Sequence, residues 1–319
     1  MIKTVVSIDL PIDEKLLIKK NTLCYDSSKK EQAEEQAKAE GKKKMSIVTG
    51  IHGDELEGQL VCYEVQRRIK EHPEFLTGIV DIYPALNPLG IDSITRTIPA
   101  FDIDMNKTFP GFSDGTMTEY IASNIMQELS DSNFVVDIHA SSIFIRELPQ
   151  VRIPNAFKEK LIDKCRVMNL DLIWAYDSSS VQESSLAYEL NAAGIDAVVI
   201  DMGIAMACTK EYSVAVTDGL FALMKELGIW TGPVMPTKNS VYAENKESIE
   251  IMVSDCAGMF VRYVECGTQV EKGHLLGKVI DPLEGVVKQE IRAPEAGLLF
   301  TIREYPVVEV GSLIGRIFK

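Results

Sequence analysis

Two separated fragments, Gly50-Ile51-His52-Gly53-Asp54-Glu55 and Asp137-Ile138-His139-Ala140-Ser141, bring two imidazoles and a carboxylate into a chain whose only histidines are His52, His72, His139 and His274. Two histidines and one carboxylate are a ligand set for a catalytic zinc ion, with a coordination position left over for water. In the first fragment a strand-to-helix turn puts His52 and Glu55 three residues apart, so both can bend toward one point above a sheet edge. His139 follows the apolar run Phe134 to Ile138, which reads as a buried central strand, and reaches the same edge from a neighbouring strand. Open α/β sheets place ligand sites at the carboxyl ends of their strands. Any lone histidine is more often an ordinary core or turn residue, but three coordinating groups in matching strand-end contexts point to a metal. Asp137 shares a strand face with His139. It either orients that imidazole from behind or is a polar residue satisfied by backbone amides. Asp54 and Glu57 read as carboxylates favoured at a helix start.

The elements that must position these groups are legible between residues 46 and 235, where short β-branched runs alternate with stretches of helical spacing. This is the pattern of an α/β domain with a mixed, largely parallel sheet flanked by helices. Candidate strands are Ser46 to Thr49, Ile79 to Tyr83, Phe134 to Ile138, Leu172 to Tyr176 and Ala197 to Ile200. Val61, Val65 and Ile69 recur at helical spacing, as do Met117, Ile121, Ile125 and Leu129, and each set should pack one helical face on the sheet. Residues 1–45 form an N-terminal strand region plus a polar insertion. From Asp26 to Lys44 no apolar residue exceeds alanine, so this stretch is expected to be a solvated helix or a mobile insertion. Two prolines and a glycine between Gly232 and Asn239 mark a boundary. Residues 240–319 then change to short strands and glycine turns. Gly258-Met259-Phe260 before Val270-Glu271-Lys272-Gly273 is echoed by Gly297-Leu298-Leu299 before Val308-Glu309-Val310-Gly311. The echo suggests a small all-β domain resembling the biotinyl/lipoyl barrel-sandwich, without a lysine at a hairpin tip; Lys288 is the nearest candidate, and a structural or substrate-gating use fits better.

Bulk properties narrow the function. A net charge of −14 argues against nucleic acid, which needs a clustered basic face. The one basic cluster, Lys42-Lys43-Lys44, reads as solvated surface beside an acidic stretch. Six cysteines without a C-x-x-C pair suggest neither a disulfide framework nor a thiolate zinc site. No stretch approaches about 18 uninterrupted apolar residues, and the start lacks a secretory pattern. The expectation is a cytoplasmic protein without a membrane partner, with homo-oligomer formation left open.

Gly50 to Glu55, Asn87-Pro88-Leu89-Gly90, Arg96, Asp104-Met105-Asn106-Lys107-Thr108-Phe109-Pro110-Gly111 and Asp137-Ile138-His139 together resemble, in this order, the succinylglutamate desuccinylase/aspartoacylase family, which belongs with the M14-type zinc carboxypeptidases. The resemblance covers about residues 46 to 235, and the later β-region matches a domain appended in many members. It implies that His52, Glu55 and His139 hold one zinc ion per chain, that Arg96 polarises the scissile carbonyl, and that Asn106 with its neighbour binds the substrate carboxylate. That neighbour is arginine in the family and Lys107 here, which keeps the charge but loses the planar fork. The family's general base is a late-strand glutamate, and Val198-Val199-Ile200-Asp201-Met202-Gly203 puts the shorter Asp201 in that place. Glu183 and Glu211 are the alternatives.

The leading expectation is zinc-dependent hydrolysis of the amide in an N-acyl amino acid or related small N-acyl amine. The rivals are a metallocarboxypeptidase acting on short peptides and a noncatalytic metal-dependent binder of a carboxylate-bearing metabolite. Cobalt or manganese would also suit two histidines and a carboxylate.

Overall fold

The computed structural model describes residues 1–10, 12–24, 32–99, 101–176, 185–236, 240–243 and 246–319. Its elements run β1 (Ile2–Asp9), β2 (Lys15–Cys24), α1 (Gln32–Ala39), β3 (Lys44–Thr49), α2 (Glu57–Glu71), β4 (Ile79–Tyr83), α3 (Pro88–Ser93), α4 (Met117–Leu129), β5 (Phe134–Ala140), β6 (Ile145–Pro154), α5 (Lys158–Arg166), β7 (Leu172–Tyr176), α6 (Leu186–Ala192), β8 (Ala197–Gly203) and α7 (Lys210–Glu226). After these come β9 (Val241–Ala243), β10 (Ile249–Val253), β11 (Gly258–Arg262), β12 (Gln269–Val270), β13 (Leu275–Asp281), β14 (Val286–Arg292), β15 (Gly297–Arg303), β16 (Val307–Val308) and β17 (Leu313–Phe318). All five candidate strands form. β5 and β8 run beyond their apolar stretches, so His139 and Asp201 stand on the ladder itself.

The large sheet has the order β1-β2-β4-β3-β5-β8-β6 and continues into β15-β17-β10. Strands β4, β3, β5 and β8 are parallel neighbours, and β6 returns antiparallel to β8. Helices cover both faces, which is why the central strands are buried along their whole length. Ile47 of β3 packs with Val61, Val65 and Ile69 of α2. Its neighbour Val48 points the other way, to Ile121, Ile125 and Leu129 of α4. Each such side chain taken from water stabilises the fold by about 1.5–3 kcal/mol.

Strand β6 was not among the sequence-derived strands. Its run Ile145 to Pro154 carries Arg146, Glu147, Gln150 and Arg152 with two prolines, a composition that hides the strand. Glu147 and Arg152 line a polar cavity, and Arg146 donates to Glu304 and Thr209.

In the basic cluster Lys43 is exposed and Lys42 half-buried, in keeping with the solvated surface expected, but Lys44 is not. Lys44 is only 3% exposed, and its ammonium lies 2.8 Å from Asp81 Oδ2 and 2.5 Å from Asp131 Oδ1. Lys20 of β2, equally buried, shares Asp81 at 2.8 Å and also contacts Glu128. Within the polar insertion, α1 packs Ala37 and Glu34 inward, and Glu34 binds Lys3 of β1 at 2.7 Å. Charge pairing thus does what apolar residues cannot do in this segment. Asp81→Ala should cost about 3–5 kcal/mol, because two buried ammoniums lose their shared carboxylate. Urea unfolding measures this, and a loss under about 1 kcal/mol would mean that Glu128 and Asp131 suffice.

In the C-terminal region the two halves of the internal echo are interleaved: β11 pairs with β16 and β12 with β15. One layer is the separate sheet β14-β13-β11-β16. The other is β15-β17-β10, joined to the α/β sheet through Thr301, Ile302 and Arg303 of β15 opposite Glu147, Arg146 and Ile145 of β6. Phe260, Leu276, Val279, Leu299, Ile302 and Ile317 fill the space between the layers. Lys288 lies on β14, 3.8 Å from Asp281. No helix among the described residues is long and apolar enough to cross a membrane.

Candidate metal centre

The turn between β3 and α2 is shaped by its glycines. Gly50 has φ +70°, a left-handed conformation that glycine adopts without strain. At Gly53 any Cβ would lie 1.9 Å from the carbonyl carbon of Gly90. The backbone of Asn87-Pro88-Leu89-Gly90 presses against the loop there. Asn87 donates its N–H to the Gly50 carbonyl at 2.7 Å, and its side chain caps α3 by accepting from Gly90 N at 2.9 Å. This segment therefore buttresses the loop that carries His52 and Glu55.

The three expected ligands converge. Glu55 Oε1 lies 2.8 Å from His52 Nδ1, Glu55 Oε2 lies 2.9 Å from His139 Nδ1, and the two Nδ1 atoms are 3.2 Å apart. All three residues are buried, and one donor atom from each falls within 4.8 Å of the others. Behind the rings, Asp104 Oδ1 is 3.1 Å from His52 Nε2 and Asp137 Oδ2 is 3.0 Å from His139 Nε2. Both nitrogens of each ring face a carboxylate; with a cation among the three groups the proton stays at Nε2, on Asp104 or Asp137, and each Nδ1 lone pair turns inward. Two lone pairs and a carboxylate at this separation repel one another unless a cation or proton lies among them, and the donor chemistry suits a divalent metal.

Without a metal ion, the same preference for positive charge among these groups falls on the imidazoles as protons. Burial by itself would lower the pKa of His139, but Asp137 and Glu55 reverse this and hold it well above the usual histidine range. His52 is likewise raised: burial opposes its charge, and Glu55 and Asp104 outweigh burial. Burial disfavours the Glu55 anion, yet the two imidazoles hold its pKa well below the usual range. Glu55 Oε2 also accepts from the Ala140 N–H at 3.0 Å. Asp137 thus stands where a histidine-orienting carboxylate belongs, while His72 and His274 lie elsewhere on exposed turns.

A cavity of about 220 Å³ opens over the triad, lined among others by Arg96, Asn106, Ser141, Glu147, Arg152, Asp201 and Arg316. Arg96 donates to Glu55 Oε1 at 2.9 Å. Asn106 reaches the cavity while its Oδ1 accepts from Leu186 N at 3.1 Å. Lys107 is 66% exposed with its ammonium 3.9 Å from Asp104 Oδ2, outside this lining. Asp201 is in register with His139 on the adjacent parallel strand, so both side chains rise from the same face. Its Oδ2 is 2.8 Å from Arg152 Nη1, and its buried Oδ1 has no partner among the described residues. Burial pushes the Asp201 carboxyl up to about 6, against the pull of Arg152. Glu211 is exposed on the first turn of α7 and does not line the cavity. Glu183 lies outside the described residues.

Sequence reasoning passed over Glu147, Arg152 and Arg316, and saw Asp104 only as part of a motif. The one signal was charge interrupting apolar strand runs, in Glu147-Leu148-Pro149-Gln150-Val151-Arg152 and in Ile314-Gly315-Arg316-Ile317.

Comparison with known proteins matches residues 41–227, more than half of the chain, to the succinylglutamate desuccinylase/aspartoacylase catalytic domain. The chain is 24% identical over 279 residues to an N-alpha-acetyl-L-2,4-diaminobutyric acid deacetylase of Halomonas elongata, covering 84% of this chain and 80% of that protein. The ectoine utilization protein EutE (DoeB) of Ruegeria pomeroyi, in a product-bound structure, superposes with TM-score 0.77 at 20% identity, over 99% of this chain and 94% of that one. A succinylglutamate desuccinylase of Silicibacter sp. TM1040 gives TM-score 0.78 at 20% identity, over 100% and 95%. The latter two likenesses establish a shared fold. Together with the catalytic-domain match, which spans every expected ligand, they make this chain a member of the succinylglutamate desuccinylase/aspartoacylase family.

Proposed function

We propose that the protein is a zinc-dependent deacylase that hydrolyses the amide of an N-acyl amino acid or related small N-acyl amine. The observation that carries this reading is the inward-facing Nδ1/Nδ1/carboxylate triad with Asp201 in register beside His139. His52, Glu55 and His139 would hold the ion, which when bound lowers the pKa of water to about 7 and polarises a carbonyl. Asp201 then removes a proton from the attacking water and returns it to the leaving amine, a task suited to a carboxyl whose pKa lies near 6. Arg96, at the cavity wall, supplies positive charge to the oxyanion that develops on the attacked carbonyl. Asp104 and Asp137 keep the imidazoles turned inward.

The cavity of about 220 Å³ has room for a small N-acyl amino acid beside the triad. The relative's acetylated diaminobutyrate is a substrate of that scale. A noncatalytic binder draws support from one feature, the ion pair that ties Asp201 to Arg152. Metal analysis combined with a screen of N-acyl amino acids separates the readings. The expected result is one zinc per chain, turnover lost on chelation and regained with zinc. Tight binding of an N-acyl amino acid with no product over long incubation would replace the deacylase with the binder.

A further inference from the structure

Four charged residues form a chain that crosses from the C-terminal β-region into the cavity. Arg316 on β17 donates from Nη1 to Glu147 Oε1 at 2.7 Å. Thr301 Oγ1 donates to the same oxygen at 3.1 Å, and Arg152 donates from Nη2 to Glu147 Oε2 at 2.7 Å. Arg152 Nη1 in turn binds Asp201 Oδ2 at 2.8 Å. Both guanidiniums lie over the Trp174 ring, at 5.2 Å for Arg152 and 5.7 Å for Arg316, so their planes are held by packing as well as by charge. Glu147 is almost wholly buried.

The two arginines are not equally available. Arg152 has both Nη atoms on carboxylates, and its Nε is buried without a partner among the described residues. Arg316 makes one side-chain hydrogen bond among the described residues, to Glu147, and 20% of its side chain remains exposed where it lines the cavity. Elsewhere on the wall, Arg96 is 48% exposed and donates to Glu55 beside the expected metal ligands, where it faces the developing oxyanion, and the Asn106 amide oxygen is committed to Leu186 N. Lys107 stands outside the lining. Arg316 is therefore a cavity cation with free donors, away from the metal ligands and held in orientation by Glu147 and Trp174.

We propose that Arg316, supplied by the C-terminal β-region, binds the carboxylate of the substrate, with Glu147 and Arg152 as positioning residues that aim it. A guanidinium fork recognises a carboxylate by geometry as well as charge. The inference rests on the deacylase reading for the class of substrate, and it gives the appended β-region a direct role in specificity.

The test uses the full, zinc-loaded chain and a panel of N-acetyl amino acids, each paired with its primary carboxamide. In Arg316→Met the ratio of kcat/KM for acid over carboxamide should fall about 10- to 100-fold, carried by KM, since a charge-assisted bond made equally in both states is uniform binding. Arg316→Lys keeps a cation beside Glu147 and should recover part of the ratio, which separates recognition from loss of folding. An unchanged ratio, with acid and carboxamide falling together, overturns the proposal. Should the wild type cleave no member of the panel, the deacylase reading fails, and calorimetry decides this one independently. Preference for acids in the wild type that disappears in Arg316→Met upholds it, whereas equal binding of acids and carboxamides, or no binding at all, overturns it.

Discussion

His139→Ala should strip the protein of its zinc and, with it, of amide hydrolysis, lowering kcat/KM by on the order of 10³-fold or more, the scale of several kcal/mol of lost carbonyl polarisation. The effect is large because His139 sits at a junction. Its Nδ1 lies 3.2 Å from His52 Nδ1 and 2.9 Å from Glu55, and its Nε2 is fixed by Asp137. Removing the ring leaves two ligands, too few to fill a catalytic zinc site. The measurement is zinc content by elemental analysis alongside turnover, with circular dichroism to verify that the sheet persists. A variant that retains one zinc per chain and wild-type turnover would remove the triad from the reaction. Asp137→Asn is expected to be milder, weakening metal affinity about 10- to 100-fold through misorientation of the imidazole.

Asp201→Asn is expected to separate metal binding from turnover. The amide cannot accept a proton, so kcat should drop about 10²- to 10⁴-fold, while the ligand set stays intact and zinc content is unchanged. Asp201→Glu places the carboxylate one methylene further out and should retain much of the activity. The structure makes this a sharp experiment, because Glu147, the other carboxylate on that wall, is bound to two guanidiniums and a hydroxyl, and Glu211 is exposed on α7. Undiminished turnover in Asp201→Asn would move the proton-accepting role to another group and favour Glu183, the alternative that lies beyond the described residues.

Much of the centre was legible in the amino-acid order because its parts are local. His52 and Glu55 belong to one turn, and His139 ends an apolar run whose burial on both faces is written in its composition. Glycines 50 and 53 mark where the chain needs a left-handed residue and a close backbone approach. Strands with continuous β-branched runs were equally plain. Strand β6 was not, since its inward-facing polar residues defeat the alternation that normally betrays a strand. Lys44 misled for a related reason: a lysine in a basic cluster reads as solvated until Asp81 is folded against it.

What the sequence by itself determined is the kind of chemistry, a two-histidine, one-carboxylate centre on the edge of an α/β sheet with a β-rich region appended. Tertiary structure alone decided who faces that centre. Asp201 stands beside His139 through the register of β5 with β8. Arg316 reaches the cavity because β15 continues the sheet from β6 and β17 pairs with β15. Such pairings join strands that are not neighbours in the chain, and they are fixed by the burial of whole sheet faces. That is a property of the packed molecule, with no local signature in the chain.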